Sequence, residues 1–170
     1  MSTAETLKQL EEFDSHYNYD STYARELLNY SPDGFAKFTN FLPLSSHQEK
    51  LTAEEFWVAK LAGMQVQDCG DCLQLNVKMA LEAGVSKEII QDILKGGNNL
   101  ADNLKDTYRF AKYLANNELV DIELVERISN RYDKGALLEL GICVSTAAVF
   151  PTIKRALGYT RSCKIVTIEV

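Results

Sequence analysis

Asp68-Cys69-Gly70-Asp71-Cys72, with the run Leu73-Gln74-Leu75-Asn76-Val77-Lys78-Met79-Ala80-Leu81-Glu82-Ala83-Gly84 behind it, decides how this chain folds. Asp68 is placed to cap a helix, and Asp71 falls at its third position, a variant of reciprocal capping. On that reading Cys69 lies in the first turn, Cys72 one turn later on the same face, and Asn76 one turn beyond. Gln74, Lys78 and Glu82 make one narrow polar stripe, and Leu73, Leu75, Val77, Met79, Ala80, Leu81 and Ala83 cover the rest. A helix apolar almost all round is a central, buried one. The stretch predicts a dithiol held inside a helical core, near a helix N-terminus.

The flanks agree. Upstream, Thr52-Ala53-Glu54-Glu55 is a capping box that opens a helix to about Val66, carrying Phe56, Trp57, Val58, Leu61, Ala62 and Met64. Earlier still, Ser2-Thr3-Ala4-Glu5 starts a short amphipathic helix, and a second begins near Asp20. Ser31-Pro32 signals a third, which Pro43 is expected to stop. Residues 44–51 form a polar loop containing His47. Downstream, Gly84 closes the cysteine helix, Ser86 opens a short one ended by Gly96-Gly97, and Asn99 is expected to cap a helix from Leu100 to about Ala115. Asp121 starts another. A long helix is expected from near Asp133 to Leu157, kinked at Pro151 by the missing amide. The tail, Cys163-Lys164-Ile165-Val166-Thr167-Ile168-Glu169-Val170, alternates and is β-branched, the single strand signal. The expected class is all-α, one domain over residues 1–170, with a short strand-like tail.

Composition narrows the function. The chain has 170 residues, 46% hydrophobic and 25% charged, as in an ordinary soluble domain. A net charge of −6 without any Lys/Arg run argues against nucleic acid. The N-terminus lacks the regions of a signal peptide, and the longest uncharged run, Leu140 to Ile153, is too short to span a bilayer. A cytoplasmic protein without membrane contact is expected, in which disulfides are catalytic or absent rather than structural.

Redox chemistry wants two cysteines separated by two residues at a helix start. Unpaired amides there favour a thiolate, and the second thiol resolves the oxidised first. Asp68 and Asp71 set carboxylates beside the thiols and oppose that effect. The alternative is two small apolar side chains packed in a core. Zinc requires further ligands, and no second Cys or His pair shows ligand spacing, so no metal and no cofactor is expected. Either Glu54 or Glu55, on the preceding helix, is a candidate proton acceptor; the bland reading is that both serve the capping box and the helix dipole. Asn76 faces the thiols and is suited to hold a water or the substrate. His16 and His47 lie in polar turns far from the cysteines and read as solvated.

The stretch Leu51 to Ile93, with Glu54-Glu55, Cys69-Gly70-Asp71-Cys72 and Met79-Ala80-Leu81-Glu82-Ala83-Gly84-Val85-Ser86-Lys87-Glu88, resembles the carboxymuconolactone decarboxylase superfamily, in its alkylhydroperoxidase D-like branch. Glu126 to Gly158 resembles that family's closing helices. The resemblance implies an all-helical bundle, a homo-oligomer, and a dithiol that reduces peroxides or disulfides and is re-reduced by a protein electron donor. It carries over Cys69 and Cys72 as the redox pair, Cys72 attacking, and less firmly a glutamate, since Glu55 lies slightly farther from Cys69 than in the family pattern. Two family histidines are replaced, one by Asn76 and one by Asp71, so the middle of the proton relay is missing. Two other readings stay open: a non-catalytic oligomer of the same fold, and a small-molecule lyase.

The tail needs partners for its backbone. Disorder, docking on a helical face and pairing with a second copy are the three possibilities. Its apolar, β-branched composition is unlike a disordered segment. Residues 164–170 are expected at a homo-oligomer interface, most simply as an antiparallel strand pair.

Overall fold

Apolar residues at helical spacing, punctuated by glycines and capping side chains, fold into ten helices among the residues that the computed structural model describes, 3–162 and 167–170. In chain order these are α1 (Thr3–Tyr17), α2 (Thr22–Tyr30), α3 (Pro32–Ser45), α4 (Ala53–Val66), α5 (Gly70–Glu82), α6 (Lys87–Leu94), α7 (Asp102–Asn116), α8 (Ile122–Arg131), α9 (Lys134–Ala147) and α10 (Val149–Ala156). The described residues contain no strand, and the class is all-α.

The central helix is α4 rather than the cysteine helix α5. Its capping box forms as expected: the Thr52 hydroxyl accepts from the Glu55 amide, and the Glu55 carboxylate accepts from the Thr52 amide at 3.0 Å. From Phe56 to Met64 nearly every side chain is buried, packed chiefly on α7 and α9 and on α5. Burying one leucine such as Leu61 contributes roughly 1.5–3 kcal/mol, so this helix dominates the cohesion of the fold. On α5 only Gly70, Cys72, Leu73, Val77 and Ala80 are buried, because a cavity flanks its other apolar residues.

A second, smaller hydrophobic cluster gathers Tyr23, Ala24 and Phe35 from α2 and α3, with Leu10 of α1 and Ile153 of α10 against it. By length and composition alone, Lys134–Ala156 is apolar enough to cross a membrane. Within the fold Leu140, Cys143, Val144 and Ala147 of this stretch are buried in the core that α4 organises.

Several helix ends differ from expectation. Pro43 does not stop α3, which runs on to Ser45, since a proline in the last turn removes only one bond. Asn99 does not cap α7; its amide and side chain bind the Asp92 carboxylate, and α7 starts at Asp102. The long helix breaks at Ala148, three residues before Pro151, because the proline ring removes a bond to the Ala147 carbonyl and crowds it. The Ser2 capping site and residues 163–166 of the tail lie outside the described residues. Residues 167–170 lie along α5: the Glu169 amide and carbonyl pair with the Gln74 side chain at 2.7 and 3.0 Å, and Ile168 and Val170 pack on the core.

Candidate functional site

Between α4 and α5 the chain reverses through Asp68, whose φ of +47° lies in the left-handed region that aspartate tolerates. Cys69 then takes an extended conformation and is itself the N-cap of α5, its Sγ accepting from the Cys72 amide at 3.3 Å. This moves the helix start one residue from the sequence reading: Asp68 is outside the helix and Cys69 is the cap. The shift follows from the backbone, since a residue at positive φ cannot also adopt the extended N-cap geometry. The two Cα atoms are 5.3 Å apart and the sulfurs are joined in a disulfide.

The disulfide is covered on its outer side and borders a cavity on its inner one. Cys69 is 0% exposed and Cys72 1%. Outside, the segment following α10 covers the turn. The Arg161 carbonyl accepts from the Gly70 amide at 2.8 Å, and the Arg161 guanidinium binds both Asp71 oxygens at 2.6 and 3.2 Å. Ser162 donates to the Asp68 carboxylate, and Arg155 binds the Gln67 carbonyl. The buried Lys154 ammonium stands 4.0 Å from Asp71 and 4.8 Å from the centre of the Tyr19 ring; burial lowers its pKa, against the pull of Asp71. Asp71, expected to oppose a thiolate, is therefore occupied by two cations from distant sequence.

On the inner side, Cys72 lines a predominantly apolar cavity of about 440 Å³. Asn76 and Met79 continue its α5 wall, Trp57, Lys60 and Met64 its α4 wall, and Phe38 and Phe150 close it from α3 and α10. Tyr19, Tyr23 and Leu75 separate it from a polar cavity of about 750 Å³ that Asp71, Lys78 and Arg161 border.

Of the residues expected to act, Cys69, Cys72 and Asn76 come together. Asn76 lines the cavity one turn beyond Cys72 and donates to the Cys72 carbonyl at 2.8 Å. Glu54 and Glu55 are placed elsewhere. Glu54 is exposed in the first turn of α4. Glu55 spends one oxygen on the capping box and accepts from the Tyr132 hydroxyl at 2.8 Å with the other. Eleven residues separate it from the C-terminal end of α4, about 16 Å of helix. His16 binds the Glu82 carboxylate at the surface. Cys143 is a free, buried thiol whose pKa burial pushes up to about 11.

The residue that sequence reasoning missed is Lys60. It is 4% exposed, and its ammonium donates to the Ser45 carbonyl, the Cys143 carbonyl and the Thr146 hydroxyl at 2.8, 3.2 and 3.0 Å. Burial lowers its pKa. The signal available was a lone lysine inside an otherwise apolar helix, one turn after Trp57 and one before Met64.

Residues 32–100 match the model of the Carboxymuconolactone decarboxylase family. The match runs from the first residue of α3, through α4 and the cysteine turn, to the end of α6 and the loop after it. No curated protein and no solved structure matches the chain.

Proposed function

We propose that this chain, with its carboxymuconolactone decarboxylase family segment at residues 32–100, is a thiol-disulfide oxidoreductase of the alkylhydroperoxidase D type, reducing a peroxide or a disulfide with Cys69 and Cys72. The observation that carries the reading is the bonded pair at a helix N-terminus with one of its sulfurs, Cys72, on the wall of an apolar cavity.

In the reduced protein the Cys72 thiolate attacks a peroxide oxygen. The O–O bond breaks, the terminal hydroxyl oxygen passes to sulfur, the carbon-bearing oxygen leaves as an alcohol after taking a proton, and Cys72 becomes a sulfenic acid. The Cys69 sulfur displaces hydroxide from that sulfenic acid, its proton leaves with the hydroxide as water, and the disulfide forms. Two electrons have passed from the dithiol to the peroxide. A protein dithiol donor returns them by exchange. The first turn of α5 donates an amide to the Cys69 sulfur, Cys72 lies within the same turn, and Arg161 with Lys154 offsets the charge of Asp71 beside the pair. Asn76 cannot take a proton at neutral pH; it orients a water or the substrate near Cys72.

The test is mass spectrometry of the reduced protein after stoichiometric peroxide. A Cys69–Cys72 disulfide with Cys143 still reduced is expected; oxidation elsewhere with this pair left as thiols rejects the proposal. A second reading is favoured by the full burial of both cysteines and the distance of Glu55: a non-catalytic helical homo-oligomer. It requires that Cys69→Ser with Cys72→Ser leave oligomeric mass and any peroxide turnover unchanged.

A further inference from the structure

The cavity at Cys72 contains one formally charged side chain among its described lining residues, and that is Lys60. Buried charges in proteins are normally matched by an opposite charge. Among the described residues no carboxylate lies within ion-pair distance of the Lys60 ammonium. It is held instead by neutral groups, namely two carbonyls, a hydroxyl and the face of Phe56 at 5.5 Å. These satisfy its hydrogens and leave its positive charge uncompensated inside an apolar enclosure. Ser45, Ser46 and Thr39 line the wall from which Lys60 is approached by the Ser45 carbonyl. The remaining wall is mainly aromatic and aliphatic, with Thr6, Gln9, Ser21 and Asn76 among its polar members, out to Cys72.

We infer that the cavity takes an apolar molecule with a single anionic head, a monocarboxylate of medium chain length or its aromatic equivalent, whose charge Lys60 balances. The volume of about 440 Å³ lies within the range of pockets that enclose small organic ligands. An anionic head displaces the Ser45 carbonyl as the nearest acceptor, and the apolar body runs along Phe38, Phe150 and Trp57 towards Cys72. This deepens the redox reading by naming the class of molecule presented to the dithiol, and it rests on that reading only for what happens after binding.

The chain offers its own probe, because Trp57 is its single tryptophan and lines the cavity. Decanoate, decan-1-ol and decyltrimethylammonium are titrated below their micellar concentrations, at pH 7.5, while the tryptophan emission is followed. Decanoate is expected to bind one to one, at least about tenfold tighter than the alcohol and tighter still than the cation. In Lys60→Met the decanoate and alcohol affinities are expected to converge, and Lys60→Arg to keep them apart. Equal affinities for decanoate and decanol in the unaltered protein overturn the inference, as does a preference for the cation or no emission change with any probe. Because the first comparison uses the unaltered protein, a Lys60 variant that fails to fold does not rescue the idea. The readout is equilibrium binding in protein whose disulfide is intact. Failure of peroxide turnover with preserved decanoate selectivity therefore rejects the redox reading alone, and the reverse result rejects this one alone.

Discussion

Replacing Glu139 by glutamine is the sharpest test of how the α4 entrance is held. Glu139 is 2% exposed on α9, and its carboxylate receives the backbone amides of Glu49, Lys50 and Leu51 at 3.0, 2.8 and 3.1 Å. These three residues are the last of the loop before the α4 cap. A hydrogen bond to a charged acceptor is worth about 1.5–3 kcal/mol and a neutral one about 1. The carboxamide keeps one acceptor oxygen and turns an NH₂ group towards donors. The buried Leu51 amide is on one oxygen and the Glu49 and Lys50 amides share the other, so one side must face the NH₂ group, and the bonds that remain go to a neutral acceptor. The sum is about 2–3 kcal/mol, or about 5–10 °C in Tm for a chain of this length. The pH dependence has a definite sign. Burial raises the Glu139 pKa, and the three amides outweigh it and leave the carboxyl below its ordinary value. The stabilisation is therefore complete above the unfolded value near ~4.3 and is lost as pH falls through the lower folded value. Urea denaturation of both proteins at pH 7 and again in steps down to pH 3 is the assay. A gap below about 0.5 kcal/mol at pH 7, or one that does not narrow in acid, refutes the argument.

Four shorter expectations follow from the site and its surroundings. Asp71→Asn weakens the hold of Arg161 over the cysteine turn and should speed reduction of the disulfide by dithiothreitol about two- to fivefold, read by quench and alkylation; an unchanged rate counts against the covering role. Cys143, with its thiol at about 11, is roughly a thousandth ionised at pH 8, so iodoacetamide should modify it at least about a hundredfold faster in denaturant than in the folded chain. Asn76→His places an imidazole one turn beyond Cys72 and should raise peroxide turnover about tenfold or more if proton transfer limits the reaction; stopped-flow consumption of peroxide at pH 6–8 decides it. Deletion of residues 164–170 should lower the mass of the proposed homo-oligomer in light scattering, and an unchanged mass would place any interface on the helices instead.

The helices were legible wherever punctuation and periodicity coincided. Thr52 and Glu55, Ser86 and Asp121 each cap as their spacing demands, because capping is a contact over three residues or fewer. The Cys69–Cys72 pairing and the approach of Asn76 were legible for the same local reason, one turn of helix. What could not be read was long-range. Arg161 reaches Asp71 across ninety positions, and the Ser45 carbonyl and Thr146 reach Lys60 across helices whose packing no local pattern encodes. Glu55 illustrates the opposite error. Its local role in the capping box was correctly seen, and that role together with Tyr132 leaves its carboxylate no freedom to serve the thiols. The burial ranking of α4 over α5 also depended on the cavity, which is a property of how helices meet and not of either sequence.

Cys69 as the helix cap couples the state of the cysteine pair to the first turn of α5. The sulfur that accepts the Cys72 amide does so more strongly as a thiolate than as half of a disulfide. The first turn of α5 is thus firmest when the pair is reduced and ionised, and by linkage anything that tightens that turn makes the pair a stronger oxidant. Residues 167–170 lie along the same helix through Gln74, and the Arg161 carbonyl binds its first amide. The C-terminal segment and the cysteine pair therefore share one structural element, so that on the proposed redox reading whatever grips the end of the chain also bears on how readily the dithiol gives up its electrons.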